Sequence, residues 1–490
     1  MRHKLSNHRA DLSTIASWAM FSRGLLPEFS QAVKRQVHAL KGPALESGDD
    51  IRDLTPLLWC SIDNDDSRDL DQLTCIEPLN QGQMRVLVAI ADVDALVKKG
   101  SPIDQHARAN TTSVYTSAVV FPMLPERLCT DLTSLNPNED RMALVNDMVF
   151  SEDGILITDS VYRARVRNKA QLAYDAVSAW IDGKGELPEA ARRIQGMRMQ
   201  LRMQDELAQK LRVLRRAQGS LEFETFQPKA IFKGDRITDI RQQVQNRTRQ
   251  LIEEFMIVTN GCTARFLAKQ GQVSLRRVVR SPDRWMRIVR VAHAYGVTLP
   301  HEPDGQALEA FLAQQHQLDP LRFPDLSLVI IKLMGSGVYV VQRSPSTPTG
   351  HFGLALRDYM HSTAPNRRFP DLITLRLIKA TLAGTQPPYD NSELAELAAH
   401  CTAQEDAAQK VERQVRKSEA ALLLHSCIGQ RFDGVITGVA DKGTWLRIFQ
   451  PPAEGRLVDA PEGLHVGQTV KVRLVSTSVE RGFIDFVPVP

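Results

Sequence analysis

Nowhere in the 490-residue chain do apolar residues run for the roughly 18 positions that a membrane-spanning helix requires, so no membrane segment is expected. The opening residues, MRHKLSNHRADLS, are polar and lack the apolar core of a secretory signal. The six cysteines, at 60, 75, 129, 262, 401 and 427, form no CxxC and no Cys/His pairing. Neither a zinc site nor a disulfide framework is supported, and a reduced, cytoplasmic protein is expected. A surplus of one charge is missing too: 61 Lys and Arg against 57 Asp and Glu leave +4, which by itself names no partner. What the chain does have is 43% hydrophobic content, enough for sizeable cores and, by the usual length prior, about three domains.

It also has one crowded acidic stretch. In 57–77, LLWCSIDNDDSRDLDQLTCIE, the aspartates Asp63, Asp65, Asp66, Asp69 and Asp71 are packed between two apolar runs. Carboxylates this close repel one another. They stay together either as a solvated acidic turn or around a multivalent cation, for which hard oxygen ligands suit Mg²⁺, Mn²⁺ or Ca²⁺. An EF-hand loop is excluded, because Arg68 stands at its glycine position and Thr74 at its glutamate position. The flanking apolar runs favour acids placed at the edge of a core.

Around this stretch the pattern changes along the chain. Residues 1–48 read as a short helical region, with a helix from about Asn7 to Arg23 and another opened by Ser30. They suggest either a helix-turn-helix module or two amphipathic helices packed on the main domain. From about Asp49 to Asn168 the signals are mainly β. The segment 84–91, MRVLVAIA, suits a strand buried on both faces, and 141–150 with 155–165 suit a strand pair around the Glu152-Asp153-Gly154 turn. A helical region is expected from about Ala170 to Gln218, ended by Gly219. Its Arg192, Arg193, Arg198, Arg202, Lys210, Arg212, Arg215 and Arg216 could form a solvated face or a phosphate-tracking wall. A strand is expected at 221–226. Helices are expected at 246–270, near 282–296, 305–316, 324–335 and 371–383, and a helix or helix pair at 391–426. From Gly429 five short, glycine-punctuated strands suggest an OB-type barrel. Phe432, Trp445 and Phe449 there could stack bases or fill the core, and Arg447, Arg456 and Lys471 could meet phosphates.

A second informative stretch is 351–371, HFGLALRDYMHSTAPNRRFPD. Ala364-Pro365 favours a turn. Arg367 and Arg368 follow it just ahead of an expected helix N-terminus, a setting that suits anions but also fits an ordinary basic turn.

The segments SIDNDDSRDLDQ, VLVAIADVDALVKKGSPIDQHARANTTSVY, FPMLPERL and HFGLAL…TAPNRRFPDLITLRLI, in this order, resemble the catalytic RNB domain of the ribonuclease II / RNase R family over about residues 50–420. The tail resembles that family's S1-type OB domain. The resemblance implies an α+β chain: a helical N-terminal region (1–48), a mixed-sheet RNB catalytic domain with surrounding helices (49–425), and an S1-type β-barrel (426–490). It also implies a processive 3′→5′ hydrolytic exoribonuclease, using Mg²⁺ (or Mn²⁺) to release nucleoside 5′-monophosphates from single-stranded RNA, and working as a monomer. By resemblance, Asp63, Asp69 and Asp71 match metal-binding and catalytic aspartates, while Gln72 replaces a further aspartate. Arg367 matches the catalytic arginine and Arg368 its basic neighbour. Tyr115 and Phe223 match an aromatic clamp on the 3′-terminal bases. Tyr174 and Glu253 (with Glu254 as the second choice) match positions that hold the 3′ end, and Glu412 matches an acid near the active site. Two rival expectations are a catalytically silent RNB-like RNA-binding protein and a metal-dependent hydrolase of DNA or of another substrate.

Overall fold

The computed structural model describes residues 8–224, 228–242, 245–320, 322–342, 350–440 and 442–489. Helices α1 (His8–Phe21) and α2 (Gln31–Ala39) come first, and Ser30 caps α2 by accepting from the Val33 N–H. Strands β1 (Ile51–Asp53), β2 (Cys60–Asp63), β3 (Gln72–Pro78) and β4 (Met84–Ala91) follow. Next are helix α3 (Pro102–Asn110), the small hairpin β5 (Val114–Tyr115) and β6 (Val120–Phe121), and strands β7 (Asp140–Phe150), β8 (Leu156–Arg167) and β9 (Ala170–Ala173). Helices α4 (Tyr174–Ile181), α5 (Glu189–Arg192) and α6 (Met197–Ala217) lead to a second hairpin, β10 (Pro228–Lys233) and β11 (Arg236–Gln242). Then come α7 (Arg247–Lys269), β12 (Ser274–Val278), α8 (Trp285–Ala294), α9 (Gly305–Leu318), α10 (Phe323–Met334), β13 (Val338–Gln342), α11 (Phe369–Leu382) and α12 (Asn391–Leu424). Strands β14 (Arg431–Ala440), β15 (Gly443–Ile448), β16 (Ala453–Leu457), β17 (Thr469–Ser478) and β18 (Phe483–Pro488) complete the chain as a closed barrel.

The main sheet has seven strands in the order β1-β8-β7-β4-β3-β2-β9. Its edge strands β1 and β9 run parallel to their neighbours and the interior pairs are antiparallel. β4 sits in the middle and is buried on both sides, as its apolar run predicts. Leu87, Ala89 and Ala91 face one core, with α3, α11 and the start of α12. Met84, Val86, Val88 and Ile90 face the other, with α4, α6 and α7. Full burial of each large apolar side chain contributes about 1.5–3 kcal/mol, so both faces anchor the strand ends from which the functional residues project.

Several expectations need correction. The helical region does not begin at Ala170: residues 170–173 form β9, because their backbone completes a parallel ladder with β2, a tertiary gain that local propensity does not register. Residues 221–224 form no strand, and 225–226 lie outside the described residues. The β10–β11 hairpin has no counterpart in the expected elements. Of the helix or helix pair expected at 391–426, the single helix is what forms, 34 residues from Asn391 uninterrupted by Pro or Gly. Gly219, at φ +90°, does end the basic helix, and a Cβ there would stand 2.8 Å from the Gln306 nitrogen.

The opening helices choose different partners: α1 packs on α12 and α2 on α3. Such docking fits packed amphipathic helices and not a free helix-turn-helix. The barrel rests on α12 and on α10, where Arg447 pairs with Asp325 at 2.8 Å. Among the described residues no helix is long and apolar enough to cross a membrane.

Candidate active site

β2 and β3 meet at the Cys60–Thr74 pair and then part, and the loop between them carries the acids. The loop is held at several points. Ser134 Oγ receives the Leu70 N–H at 3.0 Å and donates to the Arg68 carbonyl at 2.8 Å, and the Ala91 N–H reaches the Asp71 carbonyl at 3.0 Å. This anchoring sorts the five aspartates. Asp65 and Asp66 are exposed, Asp63 and Asp69 are half-buried, and Asp71 is only 2% exposed. The solvated-turn description therefore fits only the tip of the loop.

The 362–368 turn closes over the same place. Asp371, in the first turn of α11, accepts the Thr363 and Ala364 N–H groups at 2.8 Å each and pairs with Arg368 at 2.8 Å. That arrangement aims the Asn366 N–H at Asp71 Oδ1 (2.8 Å) and Arg367 Nε at Asp71 Oδ2 (3.2 Å). The turn is tied to β5 as well, through Ser113 N–H to the Arg367 carbonyl at 3.0 Å. From β5, Tyr115 donates its hydroxyl to Asp69 at 2.9 Å and its N–H to Glu412 of α12 at 3.1 Å.

On the other side, parallel pairing sets Ala173 beside Asp63, so Tyr174 follows next to the acids. Arg249 of α7 lies 4.5 Å above the Tyr174 ring and donates to Asn64 at 2.8 Å. One turn further along α7, Glu253 is exposed and receives a bond from Gln245 at 3.3 Å, whereas Glu254 is buried in an ion pair with Arg215. Between the two acids, Glu253 is the one that faces solvent.

The electrostatics follow from this packing. Burial and then the Asp71 charge push the Asp63 carboxyl up to about 7. Burial also pushes Asp71 up to about 7, against the pull of Arg367 and the Asn366 N–H. Tyr115 and the Arg367 side chain keep 41% and 44% of their surfaces exposed, yet burial raises the Tyr115 pKa, and at Arg367 the neighbouring acids, Asp71 first, outweigh burial and favour its charge. Burial likewise raises Glu253 and Glu412.

Among the described residues no three acidic, histidine or cysteine side chains close into a metal cluster. Gln72 turns its amide nitrogen toward Asp63, at 3.3 and 3.5 Å from the two oxygens. The donor chemistry still fits a hard divalent cation. Several carboxylates crowd one site, and two of them hold their protons unusually tightly, because burial, with repulsion between the acids, outweighs the pull of Arg367.

Five expected residues stand apart or are engaged internally. Arg368 is committed to Asp371. Phe223 packs against the cluster formed by α8, α9 and α10, with no bond to the aspartates. Trp445 is half-buried on the outward side of β15, across from Arg456. Phe432 packs on Phe486 within the barrel, and Arg447 is occupied by Asp325. Arg249 was missed, though its position four residues before Glu253 on one helix is the signal that points to it.

Residues 51–384 match the model of the RNB domain. The chain belongs to the RNB family. A second match, RNase II-type exonuclease C-terminal S1 domain, spans residues 430–489. Ribonuclease R of Escherichia coli (strain K12) is 31% identical over 500 aligned residues, covering 93% of this chain but only 60% of that relative's length. Ribonuclease R of Mycoplasma genitalium, solved in complex with ribose methylated single-stranded RNA, shares the fold with a TM-score of 0.87 at 22% identity, covering 98% of this chain and 78% of that one. Yeast Ssd1, described as a pseudonuclease, also shares the fold, with a TM-score of 0.72 at 14% identity and coverage of 91% and 55%. The RNB match contains the aspartate loop, Tyr115, Tyr174, Phe223, Glu253 and the arginine turn. Glu412 lies between the RNB and S1 matches, and Trp445 lies within the S1 match.

Proposed function

We propose that this RNB protein is a processive 3′→5′ exoribonuclease that hydrolyses single-stranded RNA to nucleoside 5′-monophosphates, with Mg²⁺ as its cation and Mn²⁺ as a substitute. The observation that carries the reading is the convergence of Asp63, Asp69 and Asp71 with Arg367 at one place in the fold. Asp63, Asp69 and Asp71 would hold the cation, with Gln72 joining through its amide oxygen once the side chain rotates. Such a cation, when bound, supplies charge stabilisation at the attacking and leaving oxygens. Arg367 exchanges Asp71 for the scissile phosphate and offsets the charge that builds on its oxygens. Tyr115 offers a ring for the terminal bases, with Phe223 as the opposing wall, and base stacking of about 1–3 kcal/mol per base is indifferent to sequence. Tyr174 and Glu253 orient the 3′ end, where an acceptor can read the 2′-hydroxyl. Glu412 holds the Tyr115 backbone in place, Arg368 holds the arginine turn through Asp371, and Trp445 of the barrel guides incoming strand. Free cysteines throughout agree with a reducing cytoplasm.

The test is RNA labelled at either end, incubated with Mg²⁺. Labelled mononucleotide should leave at once from 3′-labelled RNA and only at the end from 5′-labelled RNA. Internal fragments from both would overturn the assignment. Arg367→Ala should lower kcat by about 10²–10³-fold with a smaller change in RNA affinity. A second reading, a catalytically weakened RNB-like RNA-binding protein, is favoured by Gln72 and by the closed Asp71–Arg367 pair. It predicts RNA binding with no mononucleotide release.

A further inference from the structure

The arginines flagged by the sequence on and around α6 are largely engaged inside the protein. Arg215 pairs with Glu254, Arg212 with Glu222, and Arg216 with Glu309 at 2.9 Å. Arg202 lies over Trp180 at 4.3 Å, and Lys210 reaches the Glu152 carbonyl at 2.7 Å. A different row is free. Arg280, Arg284, Arg287 and Arg290, on and just before α8, are all exposed and have no side-chain partner among the described residues.

The row has the form of a backbone-tracking surface. Arg284, Arg287 and Arg290 recur every third residue, so successive guanidinium bases step about 4.5 Å along the helix axis. A nucleic-acid strand presents phosphates at a similar interval, about 3.4 Å per stacked nucleotide and more when extended. Arginine's fork suits them. The helix is firmly held from behind: Trp285, Ile288 and Ala292 are buried in the cluster against which Phe223 also packs. At its end Tyr295 is half-exposed and edge-on to Phe311, with centroids 6.0 Å apart, which leaves a ring for a base. Along the segment itself Asp283 is the only carboxylate from position 280 to 290, while Asp319 and Asp325, with Arg322, lie near Tyr295 at its end.

We propose that Arg280, Arg284, Arg287 and Arg290 form an outer RNA-binding track, which holds the phosphodiester backbone of single-stranded RNA on α8, outside the site where cleavage occurs. This proposal rests on the reading of the chain as an RNA-degrading enzyme. The track adds affinity for long strands and takes no part in chemistry.

The experiment compares full-length wild type with R284Q/R287Q/R290Q and with R284K/R287K/R290K, using a long and a very short oligouridylate. For the long RNA the glutamine variant should bind about tenfold or more weakly. Its salt dependence should flatten by about 2 in log Kd against log salt, at roughly 0.7 per lost phosphate contact. KM on long RNA should rise with kcat unchanged, the short oligouridylate should be handled as by wild type, and the lysine variant should keep most of the salt slope. An unaltered Kd and salt slope would overturn the proposal. Equal losses on long and short RNA would also overturn it, by assigning the row to the channel. So would a variant that binds RNA normally but no longer binds polyglutamate, which would mark the row as a site for acidic protein. Binding and salt slope are read without turnover, so a wild type that releases no nucleotide would refute the nuclease reading and still leave the track tested.

Discussion

The loop bearing Asp63, Asp69 and Asp71 and the corner bearing Asp92, Asp94 and Asp104 are similarly rich in carboxylates, and helix α11 runs between them. At the corner every acid has a cation. Lys379 lies 2.9 Å from Asp92 and 3.0 Å from Asp94, and Arg376, itself 3% exposed, lies 2.9 Å from Asp94 and 2.8 Å from Asp104. Burial pushes the Asp94 carboxyl up, but Lys379 and Arg376 outweigh it and the net shift is downward. At the loop Arg367 alone forms an ion pair with these acids among the described residues, and burial with mutual repulsion leaves Asp63 and Asp71 near 7. The corner is complete as folded. The loop leaves its acids with fewer cations than the corner gives its own, which agrees with the proposed site for a cation and a phosphate.

If the comparison holds, damage at the two places should have different consequences. Asp71→Asn should reduce hydrolysis more than about 10³-fold, or over ~4 kcal/mol of transition-state stabilisation, with RNA binding and urea-unfolding midpoint retained. Turnover at the wild-type rate would remove Asp71 from the chemistry. Arg376→Met should act on stability instead. It leaves Asp94 and Asp104 buried without their arginine, and breaking such a pair costs about 3–5 kcal/mol. Denaturant titration measures this, and a loss under about 1 kcal/mol would show the corner to be less tightly balanced than its distances imply.

A third acid separates burial from cation demand. Glu419 of α12 is 3% exposed, accepts from Ser117, and is pushed up to about 7 mainly by burial. Its ordinary value is 4.5. Between those values the native protein retains a proton that the unfolded chain has released, so this group lowers stability as pH rises from about 4.5 to about 7. The fall is on the order of 3 kcal/mol, at about 1.4 kcal/mol per pKa unit. Glu419→Gln removes that fall. The variant should therefore gain on wild type between pH 5 and pH 8 in urea unfolding, with no change in response to Mg²⁺. An identical difference at both pH values would count against the buried, proton-holding acid.

How much of this was legible beforehand depends on the reach of each interaction. The two-sided burial of β4, the aspartate loop and the five barrel strands are written in local pattern, because apolar alternation and glycine turns act over a few residues. The fate of the basic α6 run was not. Arg215 finds Glu254 39 positions away and Arg216 finds Glu309 93 positions away, so charge density alone could not tell an internal ion pair from a phosphate contact. The α8 row was overlooked for the converse reason: its four arginines are diluted among Trp285, Ile288 and Val289, and only folding puts those residues inward. β9 escaped because its partner strand lies more than 100 residues earlier. At the site, the motifs pointed to Asp63, Asp69, Asp71 and Arg367, and the structure brings these four together. The distinction between Glu253 and Glu254 required knowing which of them Arg215 would occupy.

The smallest effect concerns the residue that makes the loop less acidic than its family pattern. Gln72 is buried and donates its amide to Asp63, so it partly quiets a carboxylate that a cation would otherwise claim. Gln72→Asp replaces that donor with a fourth negative charge. The comparison with the corner then sharpens: the loop should demand cation more strongly while the corner is untouched. Mn²⁺ affinity should rise by about tenfold, or ~1.4 kcal/mol, and the number of ions bound per chain should increase, as followed by electron paramagnetic resonance of free Mn²⁺. In the absence of any divalent ion the same variant should be less stable than wild type, because a fourth carboxylate joins a buried group that already repels itself. Unchanged Mn²⁺ affinity and stoichiometry would mean that Gln72 already serves as an oxygen ligand and that its contact with Asp63 is broken whenever the cation is present.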